Sequence, residues 1–354
     1  MRTKYLDIVK ILETRVRVGD YALANMPGER RIAEEFGVSH MTARRAVKHL
    51  VEEGVLSRPK GRQRVARPQA KQTQKMHICF IFPGFHSLAL QDWSRKIDRV
   101  VTERGGVLRC VSFMHEDDPV IMQALRGEFT GFYIVPPHRP SQLMLDQMAR
   151  NRDSLVTLWH DYTDLGIPCI EAGSLSGVDL LIDHLVERGH RRIDCLNTQP
   201  DNLVVRARIN RWRSALQSRG LSGDLFDLPV EPFGESGIAA RDHMRRLIET
   251  HRLGGTAMFC VTTLTAVGAC RACRDMNIDV GDKYAICGFG ELSMAQLHSP
   301  SITIATPADI VPYLNMGLDW IVSSEKRAES LNFSPSEAHI WIGESTGLVK
   351  PPAR

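Results

Sequence analysis

From His77 onward, short apolar runs recur between amphipathic stretches, and this alternation limits the fold more than any other feature. The runs are HICFIF, VLRCVSF, GFYIVP, SLVTLW, RRIDCLN, TAMFCV and YAICGF. Between them lie stretches such as DLLIDHLVERGH and IAARDHMRRLIETH, with apolar residues at helical spacing. Strands alternating with helices predict an α/β architecture with parallel sheets. The runs are apolar almost throughout, as strands covered on both faces must be. About 275 residues of this pattern suit two lobes rather than one.

Residues 1–67 follow another pattern, that of three helices and a hairpin. Tyr5, Ile8, Ile11 and Leu12 give the first helix an apolar stripe. Pro27 and Gly28 precede a second helix with Ile32, Ala33 and Phe36 inward, and Gly37 breaks it. Ser39 can cap a third helix, in which Ala43, Ala46, Val47, Leu50 and Val51 keep i, i+3, i+4, i+7, i+8 spacing. Gly54 stops that helix, and VLSRPKGRQRV then reads as strand, tight turn and strand. Residues 68–76 are polar and without period, a linker. The expected domains are therefore a head over 1–67, a linker over 68–76 and a two-lobed body over 77–350.

Charge divides along the same line. Residues 1–75 hold 17 Lys and Arg against 8 Asp and Glu, whereas the rest of the chain holds 28 against 33. A basic head on an acidic body points to a polyanionic partner for the head. The eight cysteines lie mostly in apolar runs and read as small core residues of a reducing cytosol. The lone pair Cys270 and Cys273 has no second pair or histidines at zinc spacing, so no metal is expected. The first residues carry charges throughout, unlike a signal peptide, and no apolar run could span a bilayer. A cytoplasmic protein without a membrane partner is expected.

The third helix turns a polar side outward that carries His40, Arg44, Arg45 and Lys48. Arginine forks match guanine edges or phosphates, and lysine supplies point charge. A helix, a Gly-containing turn and a second such helix form a helix-turn-helix, whose second helix enters the major groove by its N-terminal end. A basic wing follows at Lys60, Gly61, Arg62 and Arg64. A charge run is usually only a solvated face, but helices, turn, wing and charge asymmetry together favour double-stranded DNA.

The stretch MPGERRIAEEFGVSHMTARRAVKHLVEEGVLSRPKGRQRV resembles the winged-helix domain of the GntR family of bacterial transcription regulators. The resemblance covers nearly all of residues 1–67. It implies DNA contacts from Arg30, Ser39, His40, Thr42, Arg44 and Gly61, with Lys60 and Arg62 beside the glycine. Arg45 and Lys48 fall to phosphates. Gly28 stands where the family usually has Ser, and His40 where Arg is common.

Residues 77–350 resemble the LacI/GalR effector domain, a relative of periplasmic sugar-binding proteins. The resemblance rests on HLVERGHRRIDCL, RINRWRSAL, TAVGACRACRDMNIDVGDKYAICGFGE, HSPSITIATP and GESTGLV in that order. It implies two Rossmann-like lobes joined by crossover strands, with a small ligand in the cleft beyond the strand ends. Arg208, four residues before Trp212, matches the family's ligand-gripping arginine and could hold vicinal hydroxyls or a carboxylate. It is also one of five arginines between 206 and 219, where a solvated helix face is the plainer reading. Where the family often has Asn-Asp, this chain has Thr262-Thr263. Where the family has Asp, it has Gly290, followed by Glu291 as a substitute carboxylate. Further candidates at strand ends are Phe85, His86, Trp93, Trp159, His160 and Asp161, since aromatic faces stack on sugars and carboxylates accept from hydroxyls. Core packing explains Trp93 and Trp159 equally well.

The expected function is a ligand-responsive repressor of carbohydrate-related genes, acting as a homodimer on a palindromic operator and released by a sugar-like effector. The alternatives are a GntR-type head fused to an enzyme-derived domain, and a body that binds a non-sugar ligand. No convincing catalytic signature points to an enzyme, and no cofactor is expected.

Overall fold

The computed structural model describes residues 4–17, 20–21, 26–56, 76–85, 87–171, 175–323, 330–333, 335 and 337–347. The wing, with Lys60, Gly61 and Arg62, lies outside the described residues, as do His86 and all of the expected linker except Met76.

The head holds α1 (Lys4–Arg17), α2 (Glu29–Glu35) and α3 (His40–Glu52). Its core is built from Ile8, Val9, Leu12, Ile32, Ala33, Ala43, Ala46, Val47 and Leu50, closed by Leu56. Each large aliphatic residue buried this way contributes about 1.5–3 kcal/mol. The expected stripe of α1 needs one correction. Ile11 faces solvent and Val9 is buried, because the helix turns its Ile8–Val9–Leu12 edge inward. Between α2 and α3, Gly37 adopts φ +59. The Gly37 N–H donates to Glu34 O at 3.3 Å and the Val38 N–H to Ala33 O at 3.0 Å, the two bonds of a Schellman turn. A side chain at Gly37 would strain that turn.

The first lobe of the body holds β1 (His77–Pro83), α4 (Leu88–Glu103), β2 (Val107–Phe113), α5 (Pro119–Leu125), β3 (Gly131–Ile134), α6 (Gln142–Arg150), β4 (Leu155–Leu158) and β5 (Cys169–Ile170). The strands form a parallel sheet in the order β2-β1-β3-β4-β5. One apolar cluster fills each face, one around Phe80, Ile97 and Tyr133 and the other around Ile81, Ile121 and Ile134.

The second lobe holds α7 (Ser176–Glu187), β6 (Ile193–Asn197), α8 (Leu203–Ser218), β7 (Leu225–Asp227), α9 (Ser236–Glu249), β8 (Ala257–Cys260), α10 (Thr263–Asp275), β9 (Ala285–Phe289), α11 (Leu292–Leu297) and β10 (Thr303–Pro307). The chain then returns to the first lobe as α12 (Val311–Val322). There Leu314, Leu318 and Ile321 join the Phe80 cluster, and the Tyr133 hydroxyl donates to Leu314 O at 2.6 Å. It crosses once more to add β11 (Ala338–Trp341), antiparallel to β10. The second sheet runs β11-β10-β9-β8-β6-β7. An α/β body with two sheets thus follows a helical head, and no helix among the described residues is long and apolar enough to cross a membrane. Seven of the eight cysteines are buried, while Cys110 on β2 is exposed.

Candidate functional site

The polar side of α3 is open. His40, Met41, Arg44, Arg45 and Lys48 are exposed, and Met41 keeps 68% of its surface. Ser39 caps the helix, its hydroxyl accepting from the Thr42 N–H at 3.2 Å and lying 2.9 Å from the Thr42 hydroxyl. Both hydroxyls therefore fix the helix start before they can meet a base. Several cations have local partners. Lys48 pairs with Glu52 at 3.3 Å, Arg30 with Glu34 at 3.2 Å, and His40 Nε2 lies 3.5 Å from Glu29. The Arg45 guanidinium stands over the Tyr5 ring at 4.3 Å, which ties it to α1. Arg44 has no ion pair among the described residues and is exposed, so its fork is ready for a base or phosphate. Exposed pairs of this kind are weak, about 0–1 kcal/mol, and a phosphate can displace them.

In the body, the C-terminal strand ends of the two lobes face each other. From the second lobe comes Arg208 on α8, 9% exposed. Trp212, one turn on, anchors α8 by donating Nε1–H to Ile193 O at 3.2 Å. The Arg208 guanidinium donates to Val261 O at 2.9 Å and lies 4.1 Å over the Phe289 ring. Among the described residues it makes no other hydrogen bond and no ion pair. Burial pulls its pKa down to about 10, against the opposing pull of Glu291.

Gly290, where the family's aspartate was expected, has φ +136, and a Cβ there would stand 3.2 Å from the Thr263 hydroxyl. A side chain there would strain the backbone and crowd that hydroxyl. Glu291 brings the carboxylate one residue later. Burial pushes its pKa up, while Arg208, the Thr263 hydroxyl and the Ala89 N–H pull it down. Ala89 belongs to α4 of the opposite lobe, so this carboxylate lies where the two lobes approach. Thr262 caps α10, accepting from the Thr265 N–H at 3.2 Å, and its hydroxyl accepts from Gln199 at 3.0 Å. Thr262 thus orders the wall through existing bonds rather than presenting an unoccupied hydroxyl.

From the first lobe, Phe85 meets Phe233 of the second lobe edge-to-face at 5.9 Å. Trp93 is buried in the Phe80 cluster and packs edge-to-face on Trp159 at 6.1 Å. Its ring supports the wall from behind, the packing role that sequence left open. Trp159 itself has φ +70, a strained value for a bulky residue, and its indole N–H is buried without a hydrogen-bond partner among the described residues. His160 is buried, which lowers its pKa to about 4 with help from His138. Asp161 accepts from the Thr163 N–H at 2.8 Å and shapes its own loop. Sequence reasoning missed His138, Phe233 and Gln199. Gln199 stands two residues after β6 and was within reach of the strand-end rule, whereas Phe233 sits in a loop with no motif.

The absence of a catalytic signature in the sequence also needs a qualification. Gly343-Glu344-Ser345-Thr346-Gly347 has the G-x-S-x-G spacing of a hydrolase elbow. Here Ser345 is fully buried, donating to Ile286 O at 2.5 Å and accepting from the Thr303 N–H at 2.9 Å. It braces β9 and β10 and cannot reach a substrate.

Residues 4–63 match the family described as bacterial regulatory proteins, gntR family, and residues 182–309 match the periplasmic binding protein-like domain. The chain joins a GntR-type helix-turn-helix to a LacI/GalR-like body. That body is 27% identical over 176 residues to the ribose operon repressor of Escherichia coli, covering 49% of this chain and 51% of the relative. The chain thus spans about half the length of that relative. Identity to the transcriptional repressor CytR of Escherichia coli is 23% over 275 residues, 76% of this chain and 77% of the relative. Among solved structures, the lac repressor dimer bound to operator and the anti-inducer ONPF superposes with a TM-score of 0.64 at 16% identity, over 78% of this chain and 96% of that one. At that identity the likeness speaks to the fold of the LacI/GalR-like body.

Proposed function

We propose that this chain is a ligand-responsive, non-enzymatic transcriptional repressor, with a DNA-binding head over 1–67, a linker over 68–76 and an effector-binding body over 77–350. The observation that carries the proposal is Arg208, a buried guanidinium at the cleft with one hydrogen bond among the described residues. A buried charge with unused donors is costly unless a partner arrives. A hydroxylated small molecule in the cleft supplies that partner; the name of the ribose operon repressor agrees with a sugar-like effector, and both its name and that of CytR agree with a repressor's role. Arg44 and its neighbours on α3, with the wing residues, read the operator. The likeness to a repressor dimer supports a homodimer on a palindromic site, and eight free thiols suit the cytosol.

A second effector class has its own support. Position 290 carries no carboxylate, and the nearby carboxylate is that of Glu291, which interacts with Arg208 instead. A non-sugar ligand that grips Arg208 through an acid group fits this wall too. A thermal-shift screen of pentoses, hexoses and sugar acids tests both readings. One compound should raise the melting point of the wild type and leave Arg208→Ala unmoved. If none shifts the wild type, the sugar-like effector is wrong.

A further inference from the structure

The head touches the body through an ion pair. Arg109 Nη1 donates to Asp20 Oδ1 at 2.8 Å, with both side chains more than half shielded from solvent. Arg109 lies on β2, the edge strand of the first sheet, whose residues 107–110 are only partly covered by the body itself. Asp20 lies in the turn after α1, where its N–H donates to Arg15 O at 2.9 Å. Arg15 in turn pairs with Glu35 at 2.5 Å and stands 5.5 Å over the Phe36 ring, at the close of α2. Those contacts end at the Schellman turn that sets α3. A continuous set of polar contacts therefore runs from the edge of the first lobe to the first helix of the helix-turn-helix.

The same lobe carries the cleft wall. Arg109 pairs in register with Cys79 of β1, and β1 leads directly to Phe85 at the contact with the second lobe. A parallel sheet moves as one piece, so a displacement of the wall displaces β2 with it.

We propose that the head docks on the edge strand of the first lobe through Asp20 and Arg109, and that this contact fixes the orientation of α3 relative to the body. The exposed face of α3 stays open in the docked arrangement, so docking does not mask the DNA-binding surface. It sets the direction in which each head points. In a dimer, two docked heads present their reading helices at one separation, and movement of the first lobe changes that separation. This rests on the regulatory reading above, in which two heads bind one operator.

The test has two arms on the full chain. In the first, Arg109→Lys is treated with a zero-length carbodiimide, which joins a carboxylate to an amine only in direct contact. Peptide mass spectrometry should find Asp20 joined to the lysine at 109, and Asp20→Asn should abolish the product. Absence of the product overturns the docking. In the second, duplexes are selected from a random pool. The wild type should enrich two half-sites at one spacing. Asp20→Ala and Arg109→Ala should broaden the spacing and weaken binding to the wild-type duplex about 2–5-fold, the scale of one partly exposed pair. The charge exchange Asp20→Arg with Arg109→Asp should restore the single spacing. A single spacing retained by both alanine variants overturns the inference. Failure of the wild type to enrich any duplex, with the cross-link present, would instead remove the regulatory reading.

Discussion

Replacing Arg208 by methionine should leave the ligand-free protein nearly as stable as the wild type. A truncated buried side chain ordinarily loses about 2–5 kcal/mol. Here the charge itself offsets much of that loss. Burial lowers the guanidinium pKa from 12.5 to about 10, which corresponds to about 3 kcal/mol against the charged form at neutral pH. Between pH 10 and 12.5 the unfolded chain holds a proton that the folded one releases. Stability from this group therefore rises with pH through that window, and below it the full cost is present. Methionine removes the cost. It gives up the contact with Phe289, about 0.5–2 kcal/mol, and the bond to Val261 O, about 1–3 kcal/mol. Losses of about 1.5–5 kcal/mol against about 3 kcal/mol removed leave a net between a gain of about 1.5 and a loss of about 2 kcal/mol. Urea denaturation of the ligand-free protein at pH 7 should show a change within about 2 kcal/mol, and the melting shift given by any effector should vanish. A loss above 2 kcal/mol without ligand would refute the reasoning. It would mean that Arg208 holds the lobe together and is not waiting for a partner.

Gly290→Asp, which restores the family's residue, should destabilise by about 1–3 kcal/mol because φ +136 strains any side chain and the Thr263 hydroxyl would have to give way, and a denaturation midpoint equal to wild type would contradict this. His160 and His184 are buried with pKa values near 4, so the unfolded chain takes protons between pH 6.5 and 4 that the folded one refuses. Stability should fall as pH drops through that window, by up to about 3 kcal/mol per histidine. Melting points measured across it should fall less steeply for His160→Gln. Arg44→Ala should weaken binding to a selected duplex by about 1–3 kcal/mol, read by fluorescence anisotropy, and unchanged affinity would take Arg44 off the reading face.

The head was legible because its signals are local. Ser39, Gly37 and the spacing from Ala43 to Leu50 each act within one or two helical turns. Ile11 was misplaced because a stripe defined by spacing can rotate by one residue without changing its period. The body yielded its class and its main strands, but β5 spans two residues and β7 three, too short for any pattern. The return of α12 to the first lobe has no signal in its own residues, since an apolar helix reads alike wherever it packs. At the cleft, Arg208 and Glu291 were named through the resemblance to the LacI/GalR effector domain, not from their own spacing. Phe233 and His138 were not, because their places depend on how two distant loops meet. For Trp93, ligand contact and core packing were equally open until its neighbours were known.

The position of α12 also bears on synthesis. The first lobe has all its strands once β5 has left the ribosome, yet the helix that covers Tyr133 and Ile97 emerges well over a hundred residues later. Until then α4 covers that face over β1 and β2 but the part over β3, β4 and β5 lacks its helix, and nascent chains arrested before residue 311 should be strong clients of chaperones that bind apolar surface. The two lobes cannot mature in sequence like beads, because the earlier one is finished by the later part of the message. A premature stop between 171 and 310 would therefore leave the first lobe incomplete as well as remove part of the second.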